Sequence, residues 1–235
     1  MEDHVRRRWE GPSGLIGFGL LLVALFLPGP PQKADDSVAA LTASLVDHRE
    51  ALVRGTVLAG AGVMALLWFV AALSAQVDAV DMRNRSRATV IALGGGFGVL
   101  FLFIGMLLFD GAAFRAASMG QPAVVRAAVD TGNMVTEASK IGFALLILGV
   151  CAASGLDTII AERVRRAGYA AALVLLISAV PPFLFDHGIG QFGGPIDVVG
   201  LVPAFVWLLV LSVAVWRSAD QIPTRLHTAA AGGPQ

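Results

Sequence analysis

The chain has 235 residues, and its 17 basic and 17 acidic side chains cancel to a formal net charge of zero. It is 56% hydrophobic and only 14% charged, with a mean hydropathy of +0.75. Soluble domains carry about 25% charged residues, so this composition excludes an ordinary water-soluble domain, and the neutral balance gives no reason to expect a nucleic-acid partner.

The charges are clustered, and long uncharged runs alternate with short stretches rich in Arg, Asp and Glu. A membrane span needs roughly 20 apolar residues to cross a hydrocarbon core about 30 Å thick. Without water to solvate its backbone, each span must be a helix or part of a closed barrel, and these runs are too long for barrel strands. The expected fold is therefore an all-α polytopic membrane helix bundle. Six spans are read in chain order: 14–27, 55–75, 88–109, 134–156, 167–185 and 198–216. The first follows Arg6, Arg7 and Arg8 and stops at Pro28-Gly29-Pro30-Pro31. A basic start and a short apolar core also fit a secretory signal peptide, but no small-residue cleavage pattern follows Leu27, so the helix is expected to be retained. Residues 1–13 and 217–235 are read as a cytoplasmic N-terminal segment and a disordered cytoplasmic tail around a 14–216 six-helix membrane domain.

Basic residues set the orientation. Arg6, Arg7, Arg8, Arg83, Arg85, Arg87, Arg163, Arg165, Arg166, Arg217 and Arg225 all fall on one side of this alternation. They outnumber Lys33, Arg49, Arg54, Arg115, Arg126 and Lys140, which are spread over longer loops on the other side. Both termini are thus expected in the cytoplasm, with the protein in a bacterial cytoplasmic membrane.

Two loops on the outer side carry helical patterns. Asp36 is read as capping a short helix to Val46, with Val38, Leu41 and Leu45 on its apolar face. Pro122 is read in the first turn of another, ended by Gly132, with Val124, Val125 and Val129 apolar. Both are expected to lie along the membrane surface. Near the end of the fifth span, Gly188-Ile189-Gly190-Gln191-Phe192-Gly193 matches the dinucleotide fingerprint literally. That fingerprint needs a strand before it and a helix after it. Here a span containing Pro181-Pro182 precedes it, so the glycines are read as a tight reversal.

The remaining polar residues gather on the outer side. Asp47, His48, Arg49, Glu50 and Arg54 lead into the second span, and Asp110 closes the third. Asp130, Asn133, Glu137 and Lys140 lead into the fourth, while Asp186 and His187 begin the last hairpin. Asn133, Glu137 and Lys140 share one helix face by their spacing of four and three, and Glu50 with Arg54 is a second one-turn pair. Ionisable groups within spans face a bundle interior or a cavity. Asp47, His48, Arg49, Asp130, Asn133, Glu137, Lys140, Asp186 and His187 are accordingly the candidate polar or ligand site. Convergence of His48, His187, Asp186 and Glu137 would suit a metal, a polar headgroup or acid–base chemistry. Yet paired polar residues at helix ends are commonly structural, and no HxxxH, HExxH, DDxxD or GxSxG pattern is present. No metal, cofactor or catalytic residue is assigned.

Gly94 and Gly98 form a GxxxG step, and Gly55, Ala59, Gly60 and Gly62 do the same for the second span. Such faces suit packing within the bundle, a protein partner or a homo-oligomer. Trp68, Trp207 and Trp216 read as core or interface aromatics, Pro203 as a bend, and the single Cys151 as a small core residue.

Asp47-His48-Arg49 ahead of a span with Leu67-Trp68-Phe69 and Leu73, and Asp130-x-Gly132-Asn133 before the fourth span, resemble a family of uncharacterised multi-pass membrane proteins of high-GC Gram-positive bacteria. The resemblance covers roughly Pro28 to Arg217 and implies the architecture but no activity. The expected function is that of a non-catalytic membrane protein, binding a partner or lipids as an accessory. Two alternatives stand beside it. One is a membrane-embedded enzyme acting on a lipid or isoprenoid through an outward Asp/Glu/His site, for which 8% aromatics is sparse for carbocation chemistry. The other is a small-molecule transporter, which needs a polar path through apolar inner halves.

Overall fold

The computed structural model describes residues 2–27, 36–80, 85–153, 156, 160–184 and 195–219. Among the described residues every regular element is helical. They are α1 (Glu2–Phe26), α2 (Val38–Asp47), α3 (Arg49–Val80), α4 (Arg85–Met106), a π-helical segment (Leu107–Ala113), α5 (Phe114–Ser118), α6 (Pro122–Ala152), α7 (Glu162–Ser178), α8 (Pro181–Leu184) and α9 (Pro195–Ala219).

Five stretches are long and apolar enough to cross a membrane: Arg49–Ala79, Arg85–Ser118, Pro122–Ala152, Glu162–Leu184 and Val199–Arg217. The apolar part of α1, Gly11–Phe26, is shorter. The long helices are apolar outside as well as inside. Val57 and Met64 on α3, Leu93 and Phe97 on α4, and Val199 and Val206 on α9 are all exposed. A bundle in water carries polar residues on its outer faces; these faces are consistent with a helical membrane bundle.

Six helices pack in a ring, in the order α6, α4, α3, α1, α9, α7 and back to α6. The main core lies inside it, with Phe18, Leu66, Phe69, Ile91, Ile147, Leu175 and Leu211 among its buried side chains. Polar groups join neighbours at a few points. Ser74 Oγ donates to the Ala88 carbonyl at 2.9 Å, tying α3 to α4, and Trp207 Nε1 donates to the Val164 carbonyl at 2.7 Å, tying α9 to α7. At one end of the ring α2, α5 and the first turns of α3 and α6 enclose a second, smaller core of Leu41, Leu45, Leu52, Ala113, Ala116, Ala117, Val125 and Val129. We call this end the cap.

The glycines on α4 and α6 are spent within the chain. A Cβ on Gly142 would lie 2.6 Å from Gly98 Cα and 2.7 Å from the Gly94 carbonyl oxygen, so the two backbones touch with no side chain between them. Gly96, by contrast, has nothing within 4 Å of a Cβ. There a methyl group meets open space, and only the helix penalty of glycine remains. Gly96→Ala is therefore expected to stabilise the protein by up to about 1 kcal/mol, read as a higher midpoint of thermal unfolding in detergent.

Three boundaries differ from the sequence reading. The cap of α2 is Ser37 rather than Asp36: the Ser37 hydroxyl accepts from the Ala40 amide at 3.2 Å. The third apolar run does not end at Asp110 but continues through the π segment into α5. The chain then reverses at Gly120, which has a φ of 67° that side chains disfavour. Finally, Gly132 does not end a helix. Pro122 opens α6 as its spacing suggests, but α6 runs unbroken to Ala152. Gly132 serves packing instead, since its Cβ would stand 2.9 Å from the Gly105 carbonyl oxygen of α4.

Candidate functional site

The site is built on one face of α6. Asn133, Glu137 and Lys140 lie on successive turns of it, as their spacing requires, and all three point into the ring. Asn133 is 7% exposed, and Glu137 and Lys140 are 1% exposed each. Glu137 Oε2 lies 2.6 Å from Lys140 Nζ. This pair stands well inside the apolar length of the helix. Lys140 is about 18 Å along the axis from Ala152, and residues 141–152 are uncharged.

Lys140 also reaches across to α7. Its Nζ makes a long contact of 3.5 Å with the Ser178 carbonyl. The reason is in the sequence one turn further on. In a continued helix the amide of residue 182 would satisfy that carbonyl, but residue 182 is proline and has no N–H. The helix stops at Ser178, and its buried carbonyl end, which carries the negative end of the helix dipole, faces an ammonium group. Ser178 Oγ donates to Leu175 O at 2.9 Å, and Gly200 of α9 lies against Ser178 with no room for a Cβ. Lys140 thereby links α6 to the end of α7, and Glu137 balances its charge.

A second buried acid sits closer to the cap. Asp110, in the π segment, is 7% exposed and accepts from Thr56 Oγ1 of α3 at 3.4 Å. In the sequence Asp110 reads as the end of a span and not as part of the candidate site. The signal was present, since a lone acid at the end of an uncharged run marks either a boundary or a buried polar contact. Asp110 is buried within a π turn, which no spacing in the sequence announces.

The other candidate residues serve the cap. Asp47 is the last residue of α2, His48 its C-cap, and Arg49 the first residue of α3; all are exposed. His48 Nδ1 lies 2.9 Å from the Ser44 carbonyl. The Arg49 guanidinium stands 5.6 Å from the Phe114 ring centre. Glu50 and Arg54 pair at 3.0 Å, as their one-turn spacing suggests. Asp130 accepts from Arg126 Nε at 2.9 Å, and a second Arg126 nitrogen donates to the Asp36 carbonyl at 3.2 Å, tying α6 to the start of α2. Asp186, His187 and the glycine-rich stretch 188–193 lie outside the described residues.

The arrangement does not gather the candidates into one centre. His48 is exposed on the cap while Glu137 is sealed in the ring. Among the described residues no three His, Cys, Asp or Glu side chains are grouped to hold a metal ion. Comparison with family models, with curated proteins and with solved structures finds no match to this chain. The reading of its function therefore rests on its own geometry.

Proposed function

We propose that this chain is a six-span protein of a bacterial cytoplasmic membrane, kin to the high-GC Gram-positive proteins it resembles, with both termini in the cytoplasm. Its role is non-catalytic: it is an accessory protein that binds a partner or lipids. The observation that carries this reading is the closure of the Glu137–Lys140 pair, with about 1% of each residue exposed. A general acid or base must come within hydrogen-bond reach of its substrate, and a transported solute needs a polar path. A pair packed inside the ring, matched within one helical turn and spent on the end of α7, fits a structural role. The place of α1 between α3 and α9 supports a sixth span. The exposed Arg163, Arg166 and Arg217 at the end opposite the cap support a cytoplasmic assignment of that end.

The test is native mass spectrometry of the full chain extracted in mild detergent. A protein subunit or a phospholipid retained at fixed stoichiometry is expected. An empty monomer, or a bound small metabolite released by Glu137→Gln, contradicts the proposal. Tags on both termini are expected to resist impermeant reagents in intact cells and to react after permeabilisation.

A further inference from the structure

Two neighbouring helices carry the same pattern on their outer faces. On α3 the exposed residues Arg49, Val53, Val57 and Met64 follow one another at steps of four, four and seven, which keeps them on one stripe. On the α4 side Leu100, Ile104, Leu107, Gly111 and Arg115 are exposed at steps of four, three, four and four. The step from Leu107 to Gly111 lies in the π segment and the last one begins there and ends in α5; the wider π turn holds more residues than an α turn, so steps of four keep Arg115 on the stripe. Each apolar stripe thus ends at the cap in an arginine.

The helices that carry the two stripes adjoin. α3 and α4 pack together, with Thr56 against Asp110 and a Cβ on Gly60 placed 3.8 Å from Phe103. The Arg49 guanidinium lies over the ring of Phe114, and Arg115 is the next residue in the chain, so both arginines belong to the cap end. Neither arginine has a carboxylate within ion-pair distance among the described residues, and the adjacent Glu50 is taken by Arg54. Asp47 likewise has no cation within that distance, so it does not neutralise Arg49.

We infer that this face binds an anionic phospholipid, its phosphate held at the cap end by Arg49 and Arg115 and its acyl chains lying along the α3 and α4 stripes. The charge complementarity is specific to the headgroup, because guanidinium groups match phosphate oxygens in both charge and hydrogen-bond geometry. The apolar stripes commit the site to a lipid rather than a free anion. The inference rests on the membrane and lipid-binding reading above and narrows it to a lipid class and a surface.

The experiment is native mass spectrometry of the full chain with an equimolar mixture of phosphatidylglycerol and phosphatidylcholine of identical chains. The parent is expected to retain phosphatidylglycerol preferentially, by about thirtyfold if each arginine contributes as a basic residue near a membrane surface does. R49Q/R115Q is expected to lose that preference, R49K/R115K to keep most of it, and R163Q/R217Q, at the other end, to keep all of it. No preference in the parent, or an unchanged one in R49Q/R115Q, overturns the lipid site while leaving the membrane reading intact. Free glycerol 3-phosphate displacing the lipid at equal concentration overturns it in favour of a simple anion site. A chain that stays monodisperse without detergent overturns both readings at once.

Discussion

Lys140→Ala is expected to destabilise the protein by about 3–5 kcal/mol, the cost of removing one partner of a buried ion pair. The substitution takes the ammonium from a Glu137 carboxylate with almost no access to solvent, and it leaves the Ser178 carbonyl facing an apolar methyl. Replacing both charges together has a different outcome. Glu137→Gln with Lys140→Met removes the uncompensated charge and keeps the volume, so its stability is expected to lie well above that of the single variant and close to the parent. A buried pair exchanged for residues of similar size is often neutral or stabilising. Unfolding midpoints of the parent, the singles and the double in one detergent check this. A Lys140→Ala variant as stable as the parent would show that the pair does not hold the ring.

Gly142→Val is the second large effect. The atoms that a Cβ at this position meets are Gly98 Cα and the Gly94 carbonyl, which are backbone and cannot rotate away. Helices α4 and α6 must separate, and the contacts between Ile91, Val99, Phe143, Leu146 and Ile147 loosen along with them. Overpacking a core costs about 1–3 kcal/mol and sometimes more; a branched side chain between two touching helices is expected at or above the top of that range. The comparison with Gly96→Ala on the facing helix α4 makes the test specific, since the two substitutions are expected to move the unfolding midpoint in opposite directions. Equal effects would contradict the assigned helix interface.

Much of this was legible in the residues. Uncharged runs located the cores of the long helices, and spacing alone put Asn133, Glu137 and Lys140 on one face. The helices extend beyond the apolar runs because polar residues at their ends are helical too; Asp78 in the last turn of α3 and Arg85 at the start of α4 approach to 3.8 Å. The failures have local causes. Asp36 and Ser37 are both good caps and adjacent, and only the docking of α2 decides between them. Gly132 resembles a helix stop because in water a glycine often is one. Here it lies where α6 meets α4, and stopping would leave backbone groups unpaired in an apolar setting, so the helix continues. The π turn around Asp110 and the reach of Lys140 to Ser178 are tertiary facts. Pro182 withholds an amide from the Ser178 carbonyl, but nothing in the sequence says which side chain answers it.

The central claim is that water does not reach the Glu137–Lys140 pair, and cysteine accessibility tests it most directly. With Cys151 replaced by alanine, Asn133→Cys and Ser178→Cys place single thiols on either side of the pair, at residues 7% and 2% exposed. Neither thiol is expected to react with charged, membrane-impermeant methanethiosulfonate reagents from either face of a proteoliposome, while both react after denaturation. Rapid modification of Ser178→Cys in the folded protein would mean that an aqueous path reaches the pair, and the non-catalytic reading would give way to transport or catalysis.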